Sequence, residues 1–173
     1  FYCFKIYGHM IFRSIIKIEK YNMITIDKLK LKIDKKSRLL GIDLGSKRIG
    51  ISVCDEKRLI ATPYKTLNFT NLNNFIIELE TIILEIGAKG IIIGNPISMD
   101  GSFGKSSQSI KDKSTLISEK LEIPVVLWDE RLSTVGAFNI SSQLDINVNK
   151  ITKKIDENAA TFILQGAIDY LNN

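Results

Sequence analysis

Asp43, Glu130 and Asp156 are the residues of this chain whose types and positions suit them best to chemistry. Asp43 interrupts the apolar run Leu40-Gly41-Ile42-Asp43-Leu44, and Glu130 closes the run that starts at Val125. Asp156 lies four residues before Ala160, on the inward side of an amphipathic segment at its start. Hydrophobic patterning alone would put no charge at any of the three. Carboxylates that converge repel one another unless a cation lies between them, and hard oxygen ligands of this kind suit Mg²⁺ or Mn²⁺. A pair of such ions can activate a water and stabilise the leaving oxygen of an in-line phosphoryl displacement. Taken singly, each acid has a plainer reading: Asp43 as a turn residue, and Asp156-Glu157 as a helix N-terminal pair favoured by the helix dipole. Only their convergence at one sheet edge would make a centre.

The rest of the chain narrows the chemistry to carboxylates, lysines, hydroxyls or bound metal. His9 is the single histidine, and it lies in an N-terminal stretch that is not expected to belong to the working domain, which argues against Ser-His-Asp and Cys-His machinery. Cys3 and Cys54 have no metal-ligand or redox spacing and make no disulfide framework, which fits a reducing cytoplasm. With 173 residues, 45% of them hydrophobic, there is material for one well-buried domain. Apolar runs fall far short of the ~20 residues that span a bilayer, so no membrane association is expected.

The net charge of +5 is unevenly spread. Residues 1–38 hold ten Lys/Arg and three Asp/Glu, leaving 14 and 16 in residues 39–173. The main part is thus slightly acidic, and handling nucleic acid would require metal ions to offset its carboxylates. Residues 1–22 make a poor signal peptide, because Lys5, His9, Arg13 and Lys17 break up the apolar residues. They are expected to be a basic, weakly ordered arm or sequence upstream of a true start at Met23, with 23–173 as a single domain.

The elements that must position the acids follow from periodicity. Residues 38–44 and 49–54 read as paired strands around the turn Gly45-Ser46, and residues 59–66 as a third strand after the polar turn at 55–58. Residues 71–86 have helical spacing, with Gly87 as a stop. Gly90-Ile91-Ile92-Ile93-Gly94 reads as a strand buried on both faces, followed by a Gly/Ser/Pro-rich loop over residues 95–104. A more polar helix marked by Ile110, Ile117 and Leu121 ends before Pro124, and a buried strand then runs to Asp129-Glu130-Arg131. Ser133 or Thr134 can cap a short helix reaching Gln143, residues 145–154 read as a polar, basic loop, and the last helix is expected from about Asp156 to Leu171. This order calls for an α/β fold: a mixed five-stranded sheet, three antiparallel strands then alternating helices and parallel strands, with helices on both faces. Strand 1 would be central, and ligands would gather at the carboxyl ends of the parallel strands.

Four motifs together resemble the bacterial YqgF family: residues 40–50 (LGIDLGSKRIG), Gly94-Asn95-Pro96 with Met99-Asp100-Gly101-Ser102, residues 129–134 (DERLST), and Asp156 with Asn158-Ala159-Ala160. Members of that family are described as Holliday-junction resolvase-like proteins and as nucleases that trim the precursor of the small-subunit ribosomal RNA. The resemblance runs from about Met23 to the C-terminus. It implies a ribonuclease H-like fold related to the RuvC resolvases, and an acidic site at Asp43, Glu130 and Asp156. Asn95 departs from the pattern, where many relatives carry Leu.

Lys47, Arg48 and Arg131 flank the expected site and could meet phosphates, although charges on a turn are as often only solvated. Lys150, Lys153 and Lys154 could lean on a nucleic-acid backbone. Gly45 and Gly50 would let a phosphate approach closely, or simply make a tight hairpin. Trp128 reads as core rather than as a stacking platform. The partner expected is nucleic acid, with a ribosomal RNA precursor preferred on the resemblance and branched DNA as the alternative; the protein would be a monomer or homodimer. Two rivals start from the same residues: an actin-like ATPase, for which one domain is too small, and a binding module that kept the fold without turnover.

Overall fold

A computed structural model describes residues 23–96, 104–129 and 159–173. Within them the chain runs α1 (Ile26–Lys32), β1 (Leu39–Leu44), β2 (Arg48–Cys54), β3 (Ala61–Asn68), α2 (Leu72–Ile86), β4 (Gly90–Asn95), α3 (Lys105–Leu121), β5 (Val125–Asp129) and α4 (Ala159–Asn172). The strands form one five-stranded sheet in the order β3-β2-β1-β4-β5. β1 is antiparallel to β2 and parallel to β4, and β4 is parallel to β5. This is the mixed sheet expected of a ribonuclease H-like α/β fold.

Alternation along the strands sends side chains to two cores. Leu40, Ile42, Ile91 and Ile93 pack with Phe75 and Leu79 of α2 and Ile117 of α3. Leu39, Ile92, Val126 and Trp128 pack on the opposite face with Leu29 of α1 and Ile163, Leu164 and Ile168 of α4. Helices therefore cover both faces, and Trp128 is core, as its buried strand implied.

Local chemistry accounts for the boundaries. The Asn71 side chain accepts the Asn74 N–H at 3.0 Å to start α2, and Gly87, left-handed at φ 71°, stops it. The polar character of α3 hides three buried serines, each with a partner: Ser107 Oγ donates to Asn95 Oδ1 at 2.7 Å, Ser114 Oγ to the Ile110 carbonyl, and Ser118 Oγ to that of Ile123. Burial on this helix follows hydrogen bonding as well as hydropathy.

Two features depart from the sequence reading. Patterning gave no helix before β1, yet α1 forms because Leu29 drops fully buried onto the second core while the Ile24 N–H bonds the Val125 carbonyl at 2.9 Å. β3 begins at Ala61 rather than Leu59. The Asp55 carboxylate accepts the N–H groups of Leu59 and Ile60 at 2.6 and 2.8 Å, and Arg58, at φ 53° and buried, extends the turn.

The expected short helix at 133–143, the loop at 145–154, most of the loop at 95–104 and the division at residue 22 lie outside or at the edge of the described residues. Among the described residues no helix is long and apolar enough to cross a membrane.

Candidate active site

Asp43 sits near the carboxyl end of the central strand β1, on the face covered by α4. Leu39, Gly41 and Asp43 alternate onto that face, and the small residue between them is what lets the helix approach. A Cβ at Gly41 would meet Ser52 Oγ, Leu164 Cβ and the Ala160 carbonyl oxygen. Ser52, buried on β2, fixes the contact by donating to the Ala160 carbonyl at 2.7 Å and, more weakly, to that of Gly41 at 3.4 Å. At its other end α4 is pinned by Gln165, which accepts the Ala61 N–H at 2.8 Å, and by Asn172, which donates to the Arg58 carbonyl at 2.7 Å. The start of the helix is therefore held beside Asp43 by partners on three separate strands and turns.

Across the sheet Asp43 pairs with Gly50, and Gly50 pairs with Thr66. That row forms the floor of an open cleft of about 530 Å³, with Arg48 at its mouth and Ala159, Ala160 and Thr161 of α4 as its wall. Gly50 supplies no side chain, which keeps the floor low immediately beside the carboxylate. Gly45 serves the tight turn instead, because its N–H bonds the Asp43 carbonyl at 3.1 Å and a Cβ there would strike the Arg48 carbonyl.

Burial pushes the Asp43 carboxyl above its ordinary pKa, and among the described residues no other cause contributes. By contrast the exposed Asp55 carboxyl is held below its usual value by the backbone N–H groups of Ile60 and Leu59. Asp55 is a structural turn residue, and Asp43 is a carboxylate whose ionised form nothing among the described residues offsets. Burial also raises the Cys54 thiol, which accepts the Leu39 N–H at 3.1 Å and is an inert part of the core.

The parallel strands end together. Ile42 pairs with Ile93 and Ile93 with Leu127, and over the next two rows Gly94 pairs with Trp128 and Asn95 with Asp129. Of the candidate residues, Asp43 and Arg48 share the cleft. Lys47 is exposed on the turn, where its carbonyl accepts the Phe69 N–H at 2.9 Å. Glu130, Arg131, Lys150, Lys153, Lys154 and Asp156 lie outside the described residues. Among the described residues no three potential metal ligands cluster. Ser52 and Thr66 were missed by sequence reasoning. The signal for Ser52 was present in Gly50-Ile51-Ser52, two small residues two apart on one face of a strand, the footprint of a closely packed helix.

The model of the family described as "RuvX: Holliday junction resolvase" matches residues 37–170. A protein of Pelagibacter ubique (strain HTCC1062) named "Putative pre-16S rRNA nuclease" is 61% identical over 151 residues, covering 87% of this chain and 100% of the relative. One of the same name from Cereibacter sphaeroides (strain ATCC 17025 / ATH 2.4.3) is 38% identical over 148 residues, covering 86% and 92%. Among solved structures, RuvC of T. thermophilus in complex with a Holliday junction substrate aligns with a TM-score of 0.49 at 10% identity, over 76% of this chain and 93% of that one. A family model spanning the whole sheet, together with a relative matched along its full length, makes this chain a member of the RuvX family, also called YqgF.

Proposed function

We propose that the chain is a nuclease that hydrolyses phosphodiester bonds with the help of Mg²⁺ or Mn²⁺, that its substrate is the precursor of 16S ribosomal RNA at its 5′ end, and that Asp43, Glu130 and Asp156 are the carboxylates at its centre. The observation that carries this reading is Asp43: a half-buried carboxylate at the carboxyl end of the central strand, raised in pKa by burial, on the floor of an open cleft. An oxygen ligand whose charge nothing else among the described residues offsets fits a divalent cation.

Covalent geometry supports the other two acids. Glu130 follows Asp129, the last residue of β5, so its Cα is within ~3.8 Å of the strand end. Asp156 precedes Ala159, a cleft residue, by three positions, a tether of about 11 Å at most. Both acids are thus adjacent in sequence to elements that reach the edge where Asp43 lies, which supports including them.

The bound metal would supply an activated water and neutralise charge on the phosphate. The chain itself does the rest. Asp43 holds its position because β1 is paired on both sides. Arg48 offers a planar cation to a phosphate entering the cleft, and Gly50 leaves room for the sugar–phosphate backbone to pass. Ser52 keeps the α4 wall in register. Arg131, Lys150, Lys153 and Lys154 are proposed as further phosphate contacts and Lys47 as a peripheral one. The reading places the protein in the cytoplasm with its RNA, as a monomer or homodimer.

The family's own description favours branched DNA as a second reading, and a junction cut symmetrically would require two centres and therefore a dimer. One experiment separates them. Purified protein is incubated with Mn²⁺ or Mg²⁺ and either an RNA carrying the 5′ precursor extension or a four-way DNA junction, beside Asp43→Asn. RNA cleavage lost in the variant is the expected result. Cleavage of neither substrate, with the variant keeping full biological activity, would leave only a binding module.

A further inference from the structure

We propose that the pole of the molecule opposite the cleft docks the sugar–phosphate backbone of the RNA strand being cut, an inference that rests on the nuclease reading above. Residues 23–38 carry six Lys/Arg against two Asp, while acids outnumber bases over residues 39–173. A site built from carboxylates repels polyphosphate beyond its metal and its few cations, so a long strand gains affinity from a positive surface elsewhere.

The fold gathers that positive charge at the amino-terminal ends of the parallel strands. The Ile24 N–H bonds the Val125 carbonyl, the Lys89 N–H bonds the Arg38 carbonyl at 2.9 Å, and Arg58 Nη1 reaches the Asp34 carbonyl at 3.5 Å, bringing in the β2–β3 turn. Lys28, Lys30, Lys35, Lys36, Lys57 and Lys89 are exposed at this pole, and among the described residues none of them makes an ion pair. Several acids of the same region are engaged. Glu56 pairs with Arg38 at 2.7 Å, Asp27 accepts from the Tyr170 hydroxyl at 3.0 Å, and Asp55 caps its own turn. Lys32, Arg38 and Arg58 join the six lysines, so nine positive groups stand against Asp27, Asp34, Asp55, Glu56, Glu122 and Asp169, which leaves a net positive field.

A lipid surface fits this pole less well than RNA. The apolar side of α1 is spent on the core through Leu29, with Ile26 and Ile33 packed beside it, so the exposed Leu31 of α1 and Leu59 and Ile60 of the β2–β3 turn are scattered among charges rather than set along one amphipathic helix face. From Arg38 to Asp43 is five residues of strand, about 16 Å at ~3.3 Å each. A stacked strand advancing ~3.4 Å per nucleotide needs about five nucleotides to reach from one pole to the other. Substrate length therefore separates the two surfaces.

The test uses the full chain and the triple variant Lys28→Gln, Lys35→Gln, Lys36→Gln, with Lys→Arg at the same positions as the rescue. Binding of a single-stranded RNA of about 25 nucleotides is measured against salt, and cleavage is measured on that strand and on a tetranucleotide. The expected result is a salt slope shallower by about 2, at ~0.7 per lost phosphate contact, and binding about 100-fold weaker near 0.1 M salt. Tetranucleotide kcat/KM is expected to stay unchanged, and the Arg variant to bind as the wild type does. An unchanged slope, or equal loss on both lengths, overturns the docking surface. Should the wild type cut neither RNA, the nuclease reading falls, and the binding series still decides whether this pole grips RNA.

Discussion

Asp43 and Gly50 stand opposite one another on β1 and β2, and a Cβ at position 50 would lie 3.8 Å from that of Asp43 and 3.5 Å from that of Ala160. The absent side chain is what opens a cleft between the carboxylate and the start of α4. Both distances are ordinary contacts, so the packing around it does not require the glycine.

Replacing it grades the passage. Gly50→Ala is expected to fold normally and keep most activity, since the new methyl group touches its neighbours without overlap. Gly50→Leu would stand in the cleft, and cleavage should fall at least tenfold in kcat/KM, about 1.4 kcal/mol of transition-state binding. Steady-state kinetics beside thermal melting checks this. Full activity in the leucine variant would mean that the substrate takes another route.

The pKa of Asp43 gives a pH-dependent prediction whose sign is fixed by linkage. Its folded pKa lies above the unfolded value because burial disfavours the anion. Below the unfolded value both states are protonated and no penalty exists; as pH rises through the folded value, the folded state loses stability. Without metal, Asp43→Asn should therefore melt higher than wild type at pH 7 and level with it below about pH 3.8. Millimolar Mn²⁺ should raise the melting temperature of the wild type more than that of the variant, because only the former keeps the buried anion as a ligand. Melting curves at two pH values, with and without Mn²⁺, decide the matter. A variant less stable than wild type at pH 7 contradicts the assignment.

The contrast between Asp43 and Ser52 shows what was legible in the sequence. Asp43 stood out because a charge broke an apolar strand, and the order of strands and helices placed that strand centrally. Ser52 gave no such contrast: a hydroxyl is unremarkable in a strand, and its partner, the Ala160 carbonyl, lies 108 positions away. Only tertiary packing brings them together. For the same reason α1 escaped notice, since one buried leucine on a seven-residue helix is too short a pattern to register. Gly87, Pro124 and the apolar run of β4 act locally, and the boundaries they set are where they were expected.

Gly41 should tolerate no side chain. An added methyl group would overlap Ser52 Oγ, Leu164 Cβ at 2.5 Å and the Ala160 carbonyl oxygen at 2.6 Å, and two of these three belong to the helix that walls the cleft. Gly41→Ala is expected to cost about 1–3 kcal/mol through overpacking and to lower cleavage by displacing α4. Ser52→Ala removes the hydroxyl that ties β2 to the first turn of α4, at a cost of about 0.5–1.5 kcal/mol for the lost hydrogen bond. Urea denaturation of both variants, with activity measured where each is folded, tests the pair. Wild-type stability in Gly41→Ala would show that the helix does not sit on β1 this closely.

Asn95 is a buried polar side chain at the end of the apolar strand β4, and Ser107 explains why it is tolerated there. Both residues are buried, and the Ser107 hydroxyl donates to Asn95 Oδ1 at 2.7 Å, joining the carboxyl end of β4 to the first turn of α3. Removing one partner strands a buried polar group, whereas removing both returns the site to apolar packing. Ser107→Ala should therefore destabilise by about 1–2 kcal/mol, and Asn95→Leu combined with Ser107→Ala should recover most of that loss. The coupling energy from the double-mutant cycle, read by urea denaturation, is expected near ~1 kcal/mol. Strictly additive effects would mean that the two side chains do not act as a pair, and that the polar residue in β4 is held by something other than α3.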